Sequence, residues 1–432
     1  MKVLFVYPRF ARHADHHPEL REHVPMNEYL GSPSLGMAQV AALLPPGVEV
    51  ELRDDRVRPA DRETDADIVA LSFFTPAATR ALELAGFFRA RGKTVIAGGI
   101  FPTAMPEVVV PHVDAVVVGE AEASFPRLLD DFVRRQPLAK IYRAEADVDP
   151  TTIPVPRLEM YFDAEDPERK PDDYPVQISR GCPLRCTACI LPVSMTSRLR
   201  VLPTDHVIAQ LDKLAAANKR AALTEDTSWF PTGSARTALT KLLDRLILDG
   251  RRALVSYVGI SIPMILSTPA SILSRAKTAG IDMFYLVTGF DPVTNGAFGS
   301  GDSRASARFV DAVKKALDLG IEPYTSFLIG GDDDDGRSVD RMLELSAKAG
   351  VRKAEFAVFT PYPGTPSWER MVKEDRIITS DWARFNDANV VFQPKAYSPE
   401  KLTAEYVRAW KDFYSSRQHY RDAGQAERTI QF

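Results

Sequence analysis

Short apolar runs, several of them ending at a glycine, alternate along this chain with stretches of helical spacing, in two blocks. That alternation leaves little choice of architecture. MKVLFVYP, DIVALSFF, KTVIAGG and DAVVVGE read as strands buried on both faces, and VEVELRD alternates. SLGMAQVAALLP and ATRALELAGFFRARG have the period of amphipathic helices, ending at a Pro pair and at Gly92. Strands and helices of this size predict an α/β domain with a parallel sheet covered on both faces, which receives ligands at its carboxyl strand ends. We assign residues 1–140 to such a Rossmann-like domain. Between 141 and 173 Pro and Asp break any helix, which predicts a linker. From Tyr174 onward VQIS, RAALTE, ALVSYVG, MFYLVTG, EPYTSFLIGG and AEFAVFTPY alternate with helical stretches such as TDHVIAQLDKLAAAN. Six such units predict a partial (β/α)6 barrel over 174–375, open to ligands at its C-terminal mouth. A helical C-terminal region, 376–432, completes the chain.

At 432 residues the chain has room for two or three domains. Its 54 basic side chains are matched by 58 acidic ones, a net charge of −4 that argues against a nucleic-acid partner. A small-molecule substrate is the default expectation. No apolar run approaches the roughly 18 residues of a membrane span, and the chain opens on a strand pattern instead of a signal peptide, so a cytoplasmic protein is expected. Only three cysteines occur, Cys182, Cys186 and Cys189, all within eight residues. Three thiols cannot build a disulfide framework.

The run ISRGCPLRCTACI spaces those thiols C-x3-C-x2-C directly after the first barrel strand. Thiolates on one loop are soft ligands suited to iron–sulfur clusters or zinc. Zinc in a structural site takes four protein ligands, whereas the nearest downstream histidine, His206, belongs to another element. A thioredoxin-like Cys186–Cys189 pair would leave Cys182 without a role. A non-enzymatic iron–sulfur module is a further alternative. The motif in this context resembles that of the radical S-adenosylmethionine (SAM) enzymes. The resemblance implies that Cys182, Cys186 and Cys189 hold three irons of a [4Fe-4S] cluster, leaving the fourth for SAM, which one electron then cleaves. An electron donor such as flavodoxin or ferredoxin is implied with it.

Other positions follow the family's pattern in chain order. Thr224, Glu225 and Asp226 end the second barrel strand, where relatives accept hydrogen bonds from the SAM ammonium. Thr288 and Asp291 in VTGFDP fall where ribose or methionine contacts lie. Gly330 and Gly331 in SFLIGGD would allow close backbone approach. Thr360 opens the segment TPYPGTP, similar to the one on which relatives rest adenine. Arg180 and Arg185 flank the thiols, where positive charge would favour thiolates although an exposed arginine is the plainer reading, and Ala188 stands where an aromatic is common.

With the first domain included, the chain is similar to the cobalamin-binding-domain subclass of these enzymes. That implies cobalamin as a cofactor, with Ser72, Thr75, Gly98, Gly99, Gly119 and Glu120 as contact candidates at the strand ends. Asp15, His16 and His17 match the cobalt-ligating D-x-H-x-x-G pattern only in part, because Leu20 replaces its glycine; a solvated histidine loop is the plainer reading. The activity implied first is cobalamin-dependent methylation of an unactivated centre. Transfer of a 3-amino-3-carboxypropyl group from SAM, or a rearrangement started by a deoxyadenosyl radical, would follow if the first domain were degenerate.

Overall fold

The computed structural model describes residues 1–415 except 12, 23–32, 166–170, 172, 224–232, 252–253 and 289–294. Its first six strands are β1 (Lys2–Tyr7), β2 (Glu49–Asp54), β3 (Ile68–Ser72), β4 (Thr94–Gly98), β5 (Ala115–Val118) and β6 (Ile141–Arg143). They form one sheet in the order β2-β1-β3-β4-β5-β6, every pair parallel. The chain reverses direction of build between β1 and β3, so the crevice above those two strands is the switch point where open α/β sheets receive ligands. Burial on both faces explains the near-continuous apolar runs. One face packs the Ala78–Arg89 helix through Ala81, Leu84 and Phe88, and the opposite face joins a core continuous with the second domain.

The second sheet comprises β7 (Tyr174–Pro175), β10 (Ala221–Leu223), β11 (Val255–Ser261), β12 (Met283–Val287), β13 (Glu322–Ile329) and β14 (Lys353–Val358). All are parallel, in the order β14-β13-β12-β11-β10-β7, which is an open half-barrel. Between β7 and β10 a separate antiparallel pair forms from β8 (Ser179–Arg180) and β9 (Arg200–Val201). Phe327 and Phe356, in register on β13 and β14, stack 5.3 Å apart, with Phe309 and Phe413 of the outer helices around them. The alternate residues of those strands, among them Tyr324 and Glu355, therefore face the lumen.

Three expectations need correction. VQIS is not one strand: the barrel strand is Tyr174–Pro175, and Ser179–Arg180 leaves the sheet to pair with β9. Pro175 donates no ladder hydrogen bond, and Arg180 finds its carboxylate partners on the first domain. Residues 141–143 belong to the first sheet, not to a linker. The rest of that stretch is a packed strap: Val148, Ile153, Leu158 and Tyr161 are buried, and the Pro154 and Pro156 carbonyls accept from Gln39 (2.9 Å) and Lys213 (2.9 Å), one on each domain. Scattered apolar residues in extended chain carry no periodic signal, so sequence pattern understated their burial. Finally, the C-terminal region is irregular over 376–398 apart from one 3-10 turn at Trp382–Arg384, and becomes a long helix at Pro399–Ser415.

Candidate active site

The thiol loop leaves the end of β8 through Gly181. That residue has φ +80°, and a Cβ there would lie 2.6 Å from the Thr196 carbonyl oxygen and closer still to that of Arg198. Only glycine fits. Cys182 is buried and Cys186 and Cys189 are half-buried; none is in a disulfide. The Cys189 amide donates to the Cys186 carbonyl (3.1 Å), closing the second part of the motif into a turn, and the Thr187 carbonyl accepts from the Ser367 amide (2.9 Å). The helix Pro366–Lys373 that begins there is capped by the Thr365 hydroxyl, bonded to the Trp368 amide at 3.2 Å. A cavity of about 220 Å³ opens beside the loop, lined by Cys186, Ala188, Leu328, Gly331, Asp332 and Phe359 among others. Among the described residues no group of three or more His, Cys, Asp or Glu side chains gathers around one ion. Three thiolates on one loop are a donor set of the kind that holds an iron–sulfur cluster.

Of the residues assigned to SAM, Gly331 lines this cavity, while Gly330 does not open to it: a Cβ there would meet Leu402 Cδ2 at 2.5 Å, so its bareness serves packing against the C-terminal helix. Thr288 is buried and donates its hydroxyl to the Ser326 carbonyl. Thr360 is buried, bonded to the Val358 carbonyl (3.1 Å) and to the carboxyl of Asp387. Thr224, Glu225, Asp226 and Asp291 lie outside the described residues. In the adenine-like segment, Gly364 wedges between Val193 beside the thiol loop and Ala104 of the first domain, tying three elements together.

At the first domain's strand ends, Ser72 and Gly98 are register partners, and Gly99, at φ +100°, is wedged against backbone: a Cβ there would lie 2.8 Å from the Phe73 carbonyl oxygen and 3.1 Å from Ser72 Oγ. Gly99 and Gly119 are exposed, and a Cβ on Gly119 would touch nothing within 4 Å. Gly119 is thus the point where this platform of strand ends is bare. Thr75 is buried in the turn after β3. Glu120 is not open to that platform, because it is ion-paired to Arg200 (2.7 Å) and Arg180 (3.2 Å). Burial pushes its carboxyl up, but the two guanidinium groups prevail and hold it below the usual range. Arg180, read as an exposed flank, is thus buried. The histidines are not solvated either. His17, at the ligand place of the partial motif, directs Nε2 to the Ala388 carbonyl (2.7 Å), and His13 Nδ1 meets Tyr406 OH (2.7 Å). His16 Nε2 is buried without a hydrogen-bond partner, and burial lowers its pKa.

Sequence reasoning missed the barrel lumen. Glu355 accepts from Tyr285 OH at 2.6 Å, with Tyr324 stacked on Tyr285 at 5.8 Å and Tyr257 nearby. Burial raises the Glu355 pKa. Val287, on the same face of β12 as Tyr285, is 39% exposed. The signal was present in KAEFAV, whose period of two sets Glu355 opposite Phe356 and Val358.

A thiol loop over the mouth of a parallel half-barrel, joined to a parallel sheet with bare strand ends, defines a two-domain α/β protein equipped to hold two cofactors. Family models agree: that of the B12 binding domain matches residues 30–129, that of the radical SAM superfamily residues 176–346, and that of a domain of unknown function residues 365–428. The chain belongs to the radical SAM superfamily, in the subclass with an N-terminal cobalamin-binding domain. It is 25% identical to the bacteriochlorophyllide d C-8(2)-methyltransferase of Chlorobaculum tepidum, over 88% of this chain and 85% of that protein. It is 22% identical to the hopanoid C-2 methylase of Rhodopseudomonas palustris, over 97% and 81%. In fold it matches the radical SAM methyltransferase TsrM of Kitasatospora setae, solved with cobalamin and a [4Fe-4S] cluster, at a TM-score of 0.67 and 14% identity, over 97% of this chain and 90% of that one.

Proposed function

We propose that this protein is a cobalamin-dependent radical SAM methyltransferase acting on a small molecule. The observation that carries the reading is the placement in one molecule of a three-thiol loop at a half-barrel mouth and a glycine platform at the strand ends of the adjoining sheet. When bound, the cluster with SAM and the corrin supply one-electron chemistry and a transferable methyl group. The chain's own residues do the rest. Cys182, Cys186 and Cys189 hold the cluster, with no fourth cysteine to close it. Ser72, Thr75, Gly98, Gly99 and Gly119 seat the corrin, Gly331 and Thr288 with Thr224, Glu225, Asp226 and Asp291 receive SAM, and Thr360 supports that wall. Tyr285 and Glu355 give the barrel lumen a polar floor able to hold a proton and to orient a substrate group.

No helix among the described residues is long and apolar enough to cross a membrane. We assign the enzyme to the cytoplasm, reduced by a flavodoxin- or ferredoxin-type donor, on the strength of the oxygen-sensitive cluster its three thiols would hold. The test is anaerobic reconstitution with iron, sulfide and hydroxocobalamin, followed by desalting and turnover with methyl-labelled SAM. Expected are about four irons per chain, retained corrin absorbance, and S-adenosylhomocysteine as a product. Methylthioadenosine in its place would overturn methylation in favour of aminocarboxypropyl transfer, and loss of the corrin on desalting would overturn the cofactor assignment.

A further inference from the structure

The β8–β9 pair contains an electrostatic conflict. Arg180 and Arg200 are direct cross-strand partners, two like charges opposed on a ladder of two residues. Such a pair is unfavourable by itself. The compensation comes from the other domain. Glu120, next in chain to Gly119 of the platform, takes Arg200 on both oxygens, Nη1 at 2.7 Å and Nη2 at 2.9 Å, and Arg180 Nη1 at 3.2 Å. Glu122 takes Arg180 Nη2 at 2.7 Å. The side chains of all four are only 5–8% exposed. Arg180 Nε is further fixed by Gln177 (2.8 Å), and Arg200 Nη1 by the Val148 carbonyl of the strap (2.9 Å). The hairpin that launches the thiol loop is therefore electrically complete only with the first domain in place.

We propose that this buried quartet is a positioning joint: Glu120 and Glu122, gripping Arg180 and Arg200, set how the thiol loop stands relative to the corrin platform. The proposal rests on the cofactor reading above, since it gives the joint its two ends. The lever is short. Glu120 adjoins Gly119, and only Gly181, itself wedged against the Thr196 and Arg198 carbonyls, separates Arg180 from Cys182. A shift of the quartet is thus passed to the first cluster thiol, with no flexible stretch to absorb it. Buried ion pairs add little net stability against apolar replacements; fixing one geometry is a use they serve better.

Two measurements test the joint. In hydrogen exchange on the protein without added cofactors, Glu120→Gln should speed exchange of the 176–190 amides by about tenfold or more while leaving β12 and β13 unchanged. Where that variant gives too little protein, Arg200→Lys, which keeps the charge but loses the two-pronged grip, carries the same measurement. In the fully loaded enzyme, pulsed electron paramagnetic resonance between cob(II)alamin and the reduced cluster should give a broader distance distribution for the variant than for the wild type. Exchange over 176–190 indistinguishable from wild type overturns the joint, and so does an unaltered distance distribution in a variant that retains both groups. Wild-type protein that fails to take up corrin overturns the functional reading instead, and the exchange result still decides the joint.

Discussion

The two parallel sheets offer their carboxyl strand ends in opposite ways. The first ends in Gly98, Gly99 and Gly119, with its one nearby acid, Glu120, drawn off into the interdomain quartet. The second ends in a thiol loop above a lumen floored by Tyr285, Tyr324 and Glu355. One surface acts by what is absent from it, which suits seating a broad preformed group. The other acts by the groups it brings together, which suits chemistry. Glycine has two meanings here: open space at Gly119, wedged backbone at Gly181 and, on the first sheet itself, at Gly99.

That contrast can be broken by adding carbon. Gly181→Ala should have the largest effect, because its Cβ meets two backbone carbonyls that cannot step aside. The β8–β9 pair would have to open, at about 3 kcal/mol or more. Iron uptake on anaerobic reconstitution and a thermal melt check this; wild-type iron content would show that the loop tolerates a different path. Gly119→Leu should act without a clash at its Cβ, since nothing lies within 4 Å of that atom, and its φ of +76° should cost only about 1–2 kcal/mol. The expected outcome is a folded protein with normal iron content whose corrin affinity falls about tenfold or more. Unchanged corrin binding would show that the platform lies elsewhere.

Legibility in the sequence followed the same division. Both parallel sheets were readable because strands buried on both faces leave continuous apolar runs, and the thiols because three soft ligands in eight residues have few other uses. Bare strand ends were visible as glycines, but letters do not distinguish Gly331, which lines the cavity, from Gly330, which makes room for Leu402 72 residues later in the chain. Arg180 read as a surface charge because its partners, Glu120 and Glu122, lie on another domain. The strap over 148–161 and the contact of His17 with Ala388 were hidden for the same reason: their burial depends on how two domains meet.

Where the domains meet, one carboxyl reports on that junction. Asp387 lies on the segment covering the open edge of the barrel; its carbonyl accepts from the Val358 amide (2.6 Å), and the next carbonyl, of Ala388, takes His17 of the first domain. Burial pushes its carboxyl up to about 6 from an ordinary 3.8, with the Tyr362 and Thr360 hydroxyls offsetting only part of the rise. The folded state thus holds this proton more tightly than the unfolded chain. Stability from this group is present in full below about pH 4, falls as pH rises toward 6, and stays lost above it, by roughly 2–3 kcal/mol at most. Asparagine cannot ionise, keeps an oxygen for the two hydroxyls, and tolerates the φ of +62° at this position. Asp387→Asn should therefore raise stability by about 1 kcal/mol at pH 4.5 and by about 2–3 kcal/mol at pH 8, read from urea unfolding at both values. An equal difference at the two pH values would mean that the carboxyl is not desolvated, and that the junction is wetter than the packing around His17, Ala388 and Tyr362 implies.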